Sequence, residues 1–222
     1  MLPEPYADRA EAGRRLAAAV QQLLGDDPAV VLALPRGGVT VAAEVARVLH
    51  APLDVLVVRK IGVPGHRELA MGALAGGTVV RNAEVISALG IDEPTFARVV
   101  DEETAVARAR ERAYRGVRPA VDLAGRTAVV VDDGLATGAT ARAAVQALRH
   151  REHDRPSRVV LAVPVAPPDT LHRLGSLVDA TVCLLTPEPF YAVGEWYRHF
   201  DQVSDDQVTT LLARDGTVHG DA

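Results

Sequence analysis

Five short, almost unbroken apolar runs constrain this chain most: Ala29–Leu34, Leu53–Val58, Ala128–Val131, Val159–Val163 and Thr181–Leu185. A strand with one face in water alternates apolar and polar side chains. These runs, rich in valine, do not alternate, so they read as strands covered on both faces. Amphipathic stretches lie between them. Val41–Leu49 places Val41, Val45, Val48 and Leu49 on one helical face, and Ala139–His150 does the same with Ala144, Val145 and Leu148. Strands that alternate with helices form βαβ units, which predicts an α/β fold with a mainly parallel central sheet flanked by helices. A further amphipathic helix is predicted over Asp8–Leu24, with Leu16, Val20, Leu23 and Leu24 on one face, ended by Gly25-Asp26-Asp27-Pro28. Another is predicted over residues 92–114, with Asp92 as N-cap and Pro94 in its first turn. Residues 60–77 are rich in glycine and charge, have little periodicity, and read as a long loop.

The chain has 222 residues, enough for one α/β domain with a small annex. Its formal charge of −5 argues against a general nucleic-acid binder, so no DNA partner is expected. The N-terminal stretch shows no signal peptide, and no apolar run approaches the roughly 20 residues of a membrane helix. The single cysteine, Cys183, sits in an apolar run and reads as a core thiol rather than a nucleophile. With no disulfide available within one chain, a reducing, cytoplasmic location is expected. Arg108, Arg110, Arg112, Arg115 and Arg118 could form a phosphate-binding patch, but a solvated helix face or a subunit contact is the favoured reading. His150 and His153, beside Arg149, Arg151 and Glu152, read as a solvated helix end rather than a metal site. The tail from about Asp215 is small and polar and is expected to fray.

The chemistry concentrates in Ala128-Val129-Val130-Val131-Asp132-Asp133-Gly134-Leu135-Ala136-Thr137-Gly138-Ala139-Thr140. A buried strand ends in two acids. A loop with two glycines and a threonine follows, and then a helix begins. In open α/β sheets ligands bind beyond the carboxyl ends of the strands. A helix N-terminus offers unpaired N–H groups and the positive end of a dipole, which suits a phosphate. Glycine lets the backbone approach the anion, and Thr137 and Thr140 can add hydroxyl donors. The carboxylates can accept hydrogen bonds from vicinal sugar hydroxyls and hold waters on a magnesium ion. The alternative is a plain βα turn whose Asp132 and Asp133 cap a helix; glycine and acid are common at such turns, but the full pattern of strand, paired acids and Thr-Gly-Ala-Thr is much rarer.

This segment resembles the 5-phosphoribosyl-1-pyrophosphate (PRPP) motif of type I phosphoribosyltransferases. The resemblance implies that Asp132 and Asp133 bind ribose hydroxyls and, through water, magnesium. It implies that Leu135, Ala136, Thr137, Gly138, Ala139 and Thr140 bind the 5-phosphate, largely through backbone amides. Ala33-Leu34-Pro35-Arg36-Gly37-Gly38-Val39 is similar to the family's pyrophosphate loop, where Arg36 could add a charge-assisted hydrogen bond beside Gly37 and Gly38. Arg59-Lys60 is placed like basic residues that contact pyrophosphate in the family, and two cations there would offset the charge of the leaving group. The stretch Ile61–Met71 resembles the family's flexible catalytic loop, with Arg67 and Glu68 as candidates within it. The resemblance covers roughly residues 29–186, and the subgroup with Arg-Lys-Ile-Gly and Glu-Leu-Ala motifs is a little-characterised bacterial one.

The implied organisation is a helix at residues 1–25 packed on the core or hood, a core at 26–186 with the flexible loop at about 61–71, a hood at 187–214 and a tail at 215–222. The implied reaction is magnesium-dependent transfer of ribose 5-phosphate from PRPP to a nitrogenous base, in nucleotide metabolism or salvage, with Arg36, Arg59, Lys60, Asp132 and Asp133 as the catalytic set. Phe190, Tyr191, Trp196 and Tyr197 gather half of the eight aromatics in the hood. They either stack on a base or pack the hood onto the sheet edge; the sequence leaves both open, with Phe190, Tyr191 and Trp196 as the base-binding candidates. The 6-oxopurine enzymes of the family usually carry an acid where Ala136 stands, which weakens a hypoxanthine or guanine assignment. The alternative is a PRPP-binding regulator without catalysis, and a general nucleotide-binding α/β domain is a third reading. Subunits of this fold often pair, and the sequence leaves a homodimer open.

Overall fold

The computed structural model describes residues 4–216. Five strands, β1 (Ala29–Ala33), β2 (Leu53–Val55), β6 (Thr127–Val131), β7 (Arg158–Val165) and β8 (Ala180–Leu185), form a parallel sheet in the order β2-β1-β6-β7-β8. The missing alternation has a direct cause. Along β1 and β6, Val31, Ala33, Val129 and Val131 face one core, while Val30, Leu32, Ala128 and Val130 face the other. Helices α1 (Arg9–Leu24), α2 (Gly38–Leu49), α4 (Glu93–Arg115) and α7 (Asp205–Gly216) contribute to the first core through Leu16, Val20, Val41, Val45, Phe96, Val208 and Leu212. Helix α5 (Ala139–Arg149) closes the other with Ala141, Ala144, Val145 and Leu148, and α6 (Pro168–Gly175) adds Leu174.

Helix starts follow their capping chemistry. Asp8 accepts from the Glu11 amide at 2.8 Å to begin α1, and Asp92 accepts from the Thr95 amide at 2.9 Å to begin α4, with Pro94 in the first turn. The strand order reverses its direction at β1 and β6, so the loops after these two strands face each other across the crevice where α/β folds bind ligands. The Leu34 amide donates to the Val131 carbonyl at 2.9 Å, extending that seam past the strands.

Residues 60–77 differ from the expected loop. They belong to an antiparallel sheet of β3 (Val58–Val63), β4 (His66–Ala75) and β5 (Thr78–Arg81), followed by a short helix α3 (Ala83–Ala88). Two register shifts around Gly62 disturb the pairing, and Gly65 turns the chain with φ of +77°. The irregular register and the exposed, charged tip hide any period of two. Ile61, Val63, Met71, Leu74 and Ala75, with Gly72, are the buried positions, and they anchor the base of the hairpin to the core.

The Arg-rich helix also differs in part. Arg115 is neither a solvated nor a phosphate-binding cation: it bonds the buried Asp54 at 2.6 Å, the Val55 carbonyl at 2.8 Å and Glu111 at 3.2 Å. Arg118 donates to the Leu212 carbonyl and so ties the end of α4 to α7. Helix α7 continues through Gly216, and residues 217–222 of the expected tail lie outside the described residues. Among the described residues no helix is long and apolar enough to cross a membrane.

Candidate active site

The loop Leu34–Gly37 follows β1 and the loop Asp132–Gly138 follows β6, and the two touch at their bases. A Cβ on Gly38 would stand 2.8 Å from the Val131 carbonyl oxygen and 2.9 Å from Asp132 Cα. A Cβ on Gly37 would stand 2.0 Å from Asp133 Oδ2. Both glycines therefore serve close approach: the backbone of the first loop lies against the two acids with no room for a side chain. The Pro35–Arg36 peptide in this loop is cis.

The phosphate-type loop divides into anchor and open parts. Leu135 is buried and its amide donates to the Val165 carbonyl at 2.9 Å, so this amide is a fastening to β7 rather than a phosphate donor. Thr170 holds the Ala136 carbonyl at 2.9 Å from the α6 side. Among the described residues the amides of Ala136, Thr137 and Gly138 donate to no backbone acceptor, and Ala139 is met only by Thr137 Oγ1 at 3.4 Å. With the unpaired amides of the first turn of α5, these form a set of N–H groups at a positive dipole end. The loop opens onto a cleft of about 800 Å³ between α5, α6 and the β4–β5 pair, where Arg142 and Arg173 stand.

The two acids lie in unlike surroundings. Asp132 is half-buried, and Oδ1 accepts from the Asp133 amide at 2.9 Å. Burial first, and the Asp133 charge second, push its carboxyl well above the usual carboxylate range. Asp133 has a cation of its own: Arg9 Nε of α1 donates to Oδ2 at 2.7 Å, and these side chains are only 11% and 15% exposed. The same guanidinium donates through Nη1 to the Asp201 carbonyl at 2.8 Å and lies 3.8 Å from the Phe200 ring centre. Tyr197 OH donates to the Asp133 carbonyl at 2.5 Å. Arg9, with Phe200 against it, thus meets the acid pair although the sequence does not single either out, and Tyr197, read as a hood aromatic, meets it through its hydroxyl; for Arg9 the only signal is its place at the start of a predicted helix, which many surface helices share.

The other expected cations are engaged. Arg59 bonds Glu103 of α4 at 2.7 and 2.8 Å, and Lys60 reaches the Glu68 carbonyl at 3.2 Å within the hairpin. Arg67 and Glu68 lie exposed on that hairpin. Arg36 is more open, with Asp205 of α7 at 4.0 Å, and Asp205 in turn accepts from Tyr114 OH at 2.7 Å. Burial, then the hydrogen bond to Asp205, push the Tyr114 hydroxyl up to about 12.

The hood aromatics divide. Trp196 and Tyr197 are buried with Tyr6, Ala12 and Val165, and Phe190 is half-buried against that cluster. Trp196 therefore packs the hood onto β7 and is not an open stacking face. Tyr191 is 77% exposed and remains available to a ligand. Cys183 is half-buried, its thiol pushed up to about 11 by burial, as suits a packing thiol.

Residues 6–182 match the family model of the phosphoribosyl transferase domain. The chain belongs to the phosphoribosyl transferase family. A Mycobacterium tuberculosis H37Rv protein named "Putative phosphoribosyl transferase Rv0571c" is 48% identical over 210 residues, which cover 94% of this chain and 46% of that protein. The corresponding protein of strain CDC 1551 matches equally. The chain thus spans about half the length of these relatives. The crystal structure of TT1426 from Thermus thermophilus superposes with a TM-score of 0.82 at 43% identity, covering 95% of this chain and 98% of that one. The type I phosphoribosyltransferase fold, with its parallel five-stranded sheet flanked by helices, is therefore the fold of this chain.

Proposed function

We propose that this protein transfers ribose 5-phosphate from PRPP to a nitrogenous base and releases pyrophosphate. One observation carries the reading: a loop of open amides and a loop of close-packed glycines meet at the switch point of the sheet, with an acid pair between them. The 5-phosphate sits on the amides of Ala136, Thr137, Gly138, Ala139 and Thr140. The ribose hydroxyls face the acids, and the pyrophosphate lies along Arg36, Gly37 and Gly38. A base nitrogen attacks C1 of the ribose, the new N–C1 bond forms as the C1–O bond to pyrophosphate breaks, and the bonding electrons leave with the pyrophosphate. Positive charge develops on the sugar and negative charge on the leaving group. Fixed amides and Arg36 stabilise the latter without reorganising. Arg59 and Lys60 join only by exchanging Glu103 and Glu68 for pyrophosphate oxygens, which makes hairpin rearrangement part of substrate closure.

A magnesium ion fits this donor set. Asp132 is a hard oxygen donor that forms no ion pair, and no three acids or histidines converge among the described residues. The metal would be held largely by PRPP oxygens and water, with the acids reaching it through water, and it would neutralise pyrophosphate charge. The chain's own residues orient the sugar and hold the phosphates. Phe190 and Tyr191 are the hood aromatics left to meet the base.

The test is pyrophosphate release from PRPP and Mg²⁺ across a panel of purine and pyrimidine bases. Release with one base and not with others supports the enzyme. PRPP binding with no release for any base would favour a PRPP-sensing regulator instead.

A further inference from the structure

The family pattern gives both acids of the pair to the sugar. Here they are not equivalent. Asp133 Oδ2 is engaged by Arg9 Nε at 2.7 Å, and the carboxylate fills the space a Cβ on Gly37 would take. Its carbonyl is held from the hood by Tyr197 OH. Arg9 extends the connection to the Asp201 carbonyl and the Phe200 ring. A single carboxylate thus joins α1, the pyrophosphate-type loop, the end of β6 and the hood. The Oδ2 oxygen, which bonds a shielded guanidinium and abuts the Gly37 backbone, is closed to a sugar hydroxyl, and the carboxylate is held in one orientation. Asp132 forms no ion pair: Arg9 acts on it only through its field, and its partners are the Asp133 amide at 2.9 Å and the neighbouring Asp133 carboxyl.

We infer that Arg9 is a positioning residue for the transfer reaction: it fixes Asp133 as a strut that seats the hood, and leaves Asp132 as the acid that meets the ribose. This inference rests on the PRPP reading above and deepens it. It implies that Arg9 and Asp133 act as one unit and Asp132 as another. Removing either partner of the strut lets the hood move, so the acceptor base loses its placement before PRPP does. Planar, two-directional donation together with stacking on Phe200 suits arginine and not lysine.

The experiment compares Arg9→Gln, Arg9→Lys, Asp133→Asn, the Arg9→Gln/Asp133→Asn double variant and Asp132→Asn in the full chain. Calorimetry with PRPP and Mg²⁺ should show strut variants weakened by less than about tenfold, and Asp132→Asn by more than that. The double variant should be no worse than the poorer single one, because the two residues form one interaction. In turnover the KM for the base should rise more than the KM for PRPP, with Arg9→Lys only partly rescued. Asp133→Asn that loses PRPP as fully as Asp132→Asn while Arg9→Gln binds normally would overturn the inference. If the unmodified protein binds no PRPP, the PRPP reading fails, and hydrogen exchange then decides the strut. Amides of 197–203 should exchange faster in Arg9→Gln and Asp133→Asn alike, and unchanged exchange in Arg9→Gln would overturn it.

Discussion

Gly37→Ala tests the packing of the two loops directly. The new Cβ would lie 2.0 Å from Asp133 Oδ2 and 2.7 Å from Cγ, so the carboxylate has to withdraw by about 1 Å to reach even a tight contact. A 2.7 Å bond to Arg9 lengthened by that much is no longer a hydrogen bond. Arg9 would then be left largely desolvated without its anion. Breaking a fully buried pair from one side costs about 3–5 kcal/mol. With the two side chains 11% and 15% exposed, solvent screening brings the cost to the bottom of that range or just below it, about 2–3 kcal/mol. For a domain of this size that lowers Tm by roughly 4–12 °C. Scanning calorimetry without ligand measures it. Gly37→Ala/Asp133→Ala should destabilise less than the sum of its two single variants, because the deleted carboxylate removes the clash. A Gly37→Ala protein that melts within about 2 °C (about 1 kcal/mol or less) of the unmodified one would refute the reasoning.

Further outcomes follow from other contacts. Asp132→Asn should raise the Tm of the unliganded protein at neutral pH while it weakens PRPP binding. The raised native value means the folded state holds this proton more tightly than the unfolded chain, so its stabilisation is present below the ordinary carboxylate range and is lost as pH rises; calorimetric scans at about pH 5 and pH 8 should show the advantage of the variant growing with pH. Arg115→Met should cost about 3–5 kcal/mol in urea unfolding, since Asp54 is 3% exposed and would keep a buried charge without a cation. Cys183, its thiol at about 11, should react with a thiol reagent at about pH 8 far more slowly in the folded protein than in denaturant; equal rates would contradict its packing role.

What is legible in the sequence is what repeats or breaks a pattern. Strands β1, β6 and β7 show as unbroken apolar runs, because burial on both faces removes alternation; the edge strand β8 shows a similar run although it is only half-buried. Helix α1 announces itself through its apolar face and α4 through Asp92, whose cap acts within one turn. The hairpin β3–β5 reads as a loop because only its base is buried and bulges at Gly62 disturb its period. The acids and the phosphate-type loop are legible as a local motif. Their environment is not: the bond from Arg9 to Asp133 spans 124 positions, and that of Arg115 to Asp54 spans 61. Trp196 and Tyr191 belong to one aromatic stretch, yet one is buried in the hood and the other stands in solvent, a division set by β7 and α1 rather than by their neighbours in the chain.

The most direct test of the central claim is calorimetric titration of PRPP, with and without Mg²⁺, into the unmodified protein and into Asp132→Asn. The account predicts binding that depends on Mg²⁺ and is lost or strongly weakened in the variant. Absence of binding to the folded, unmodified protein in either condition would contradict it.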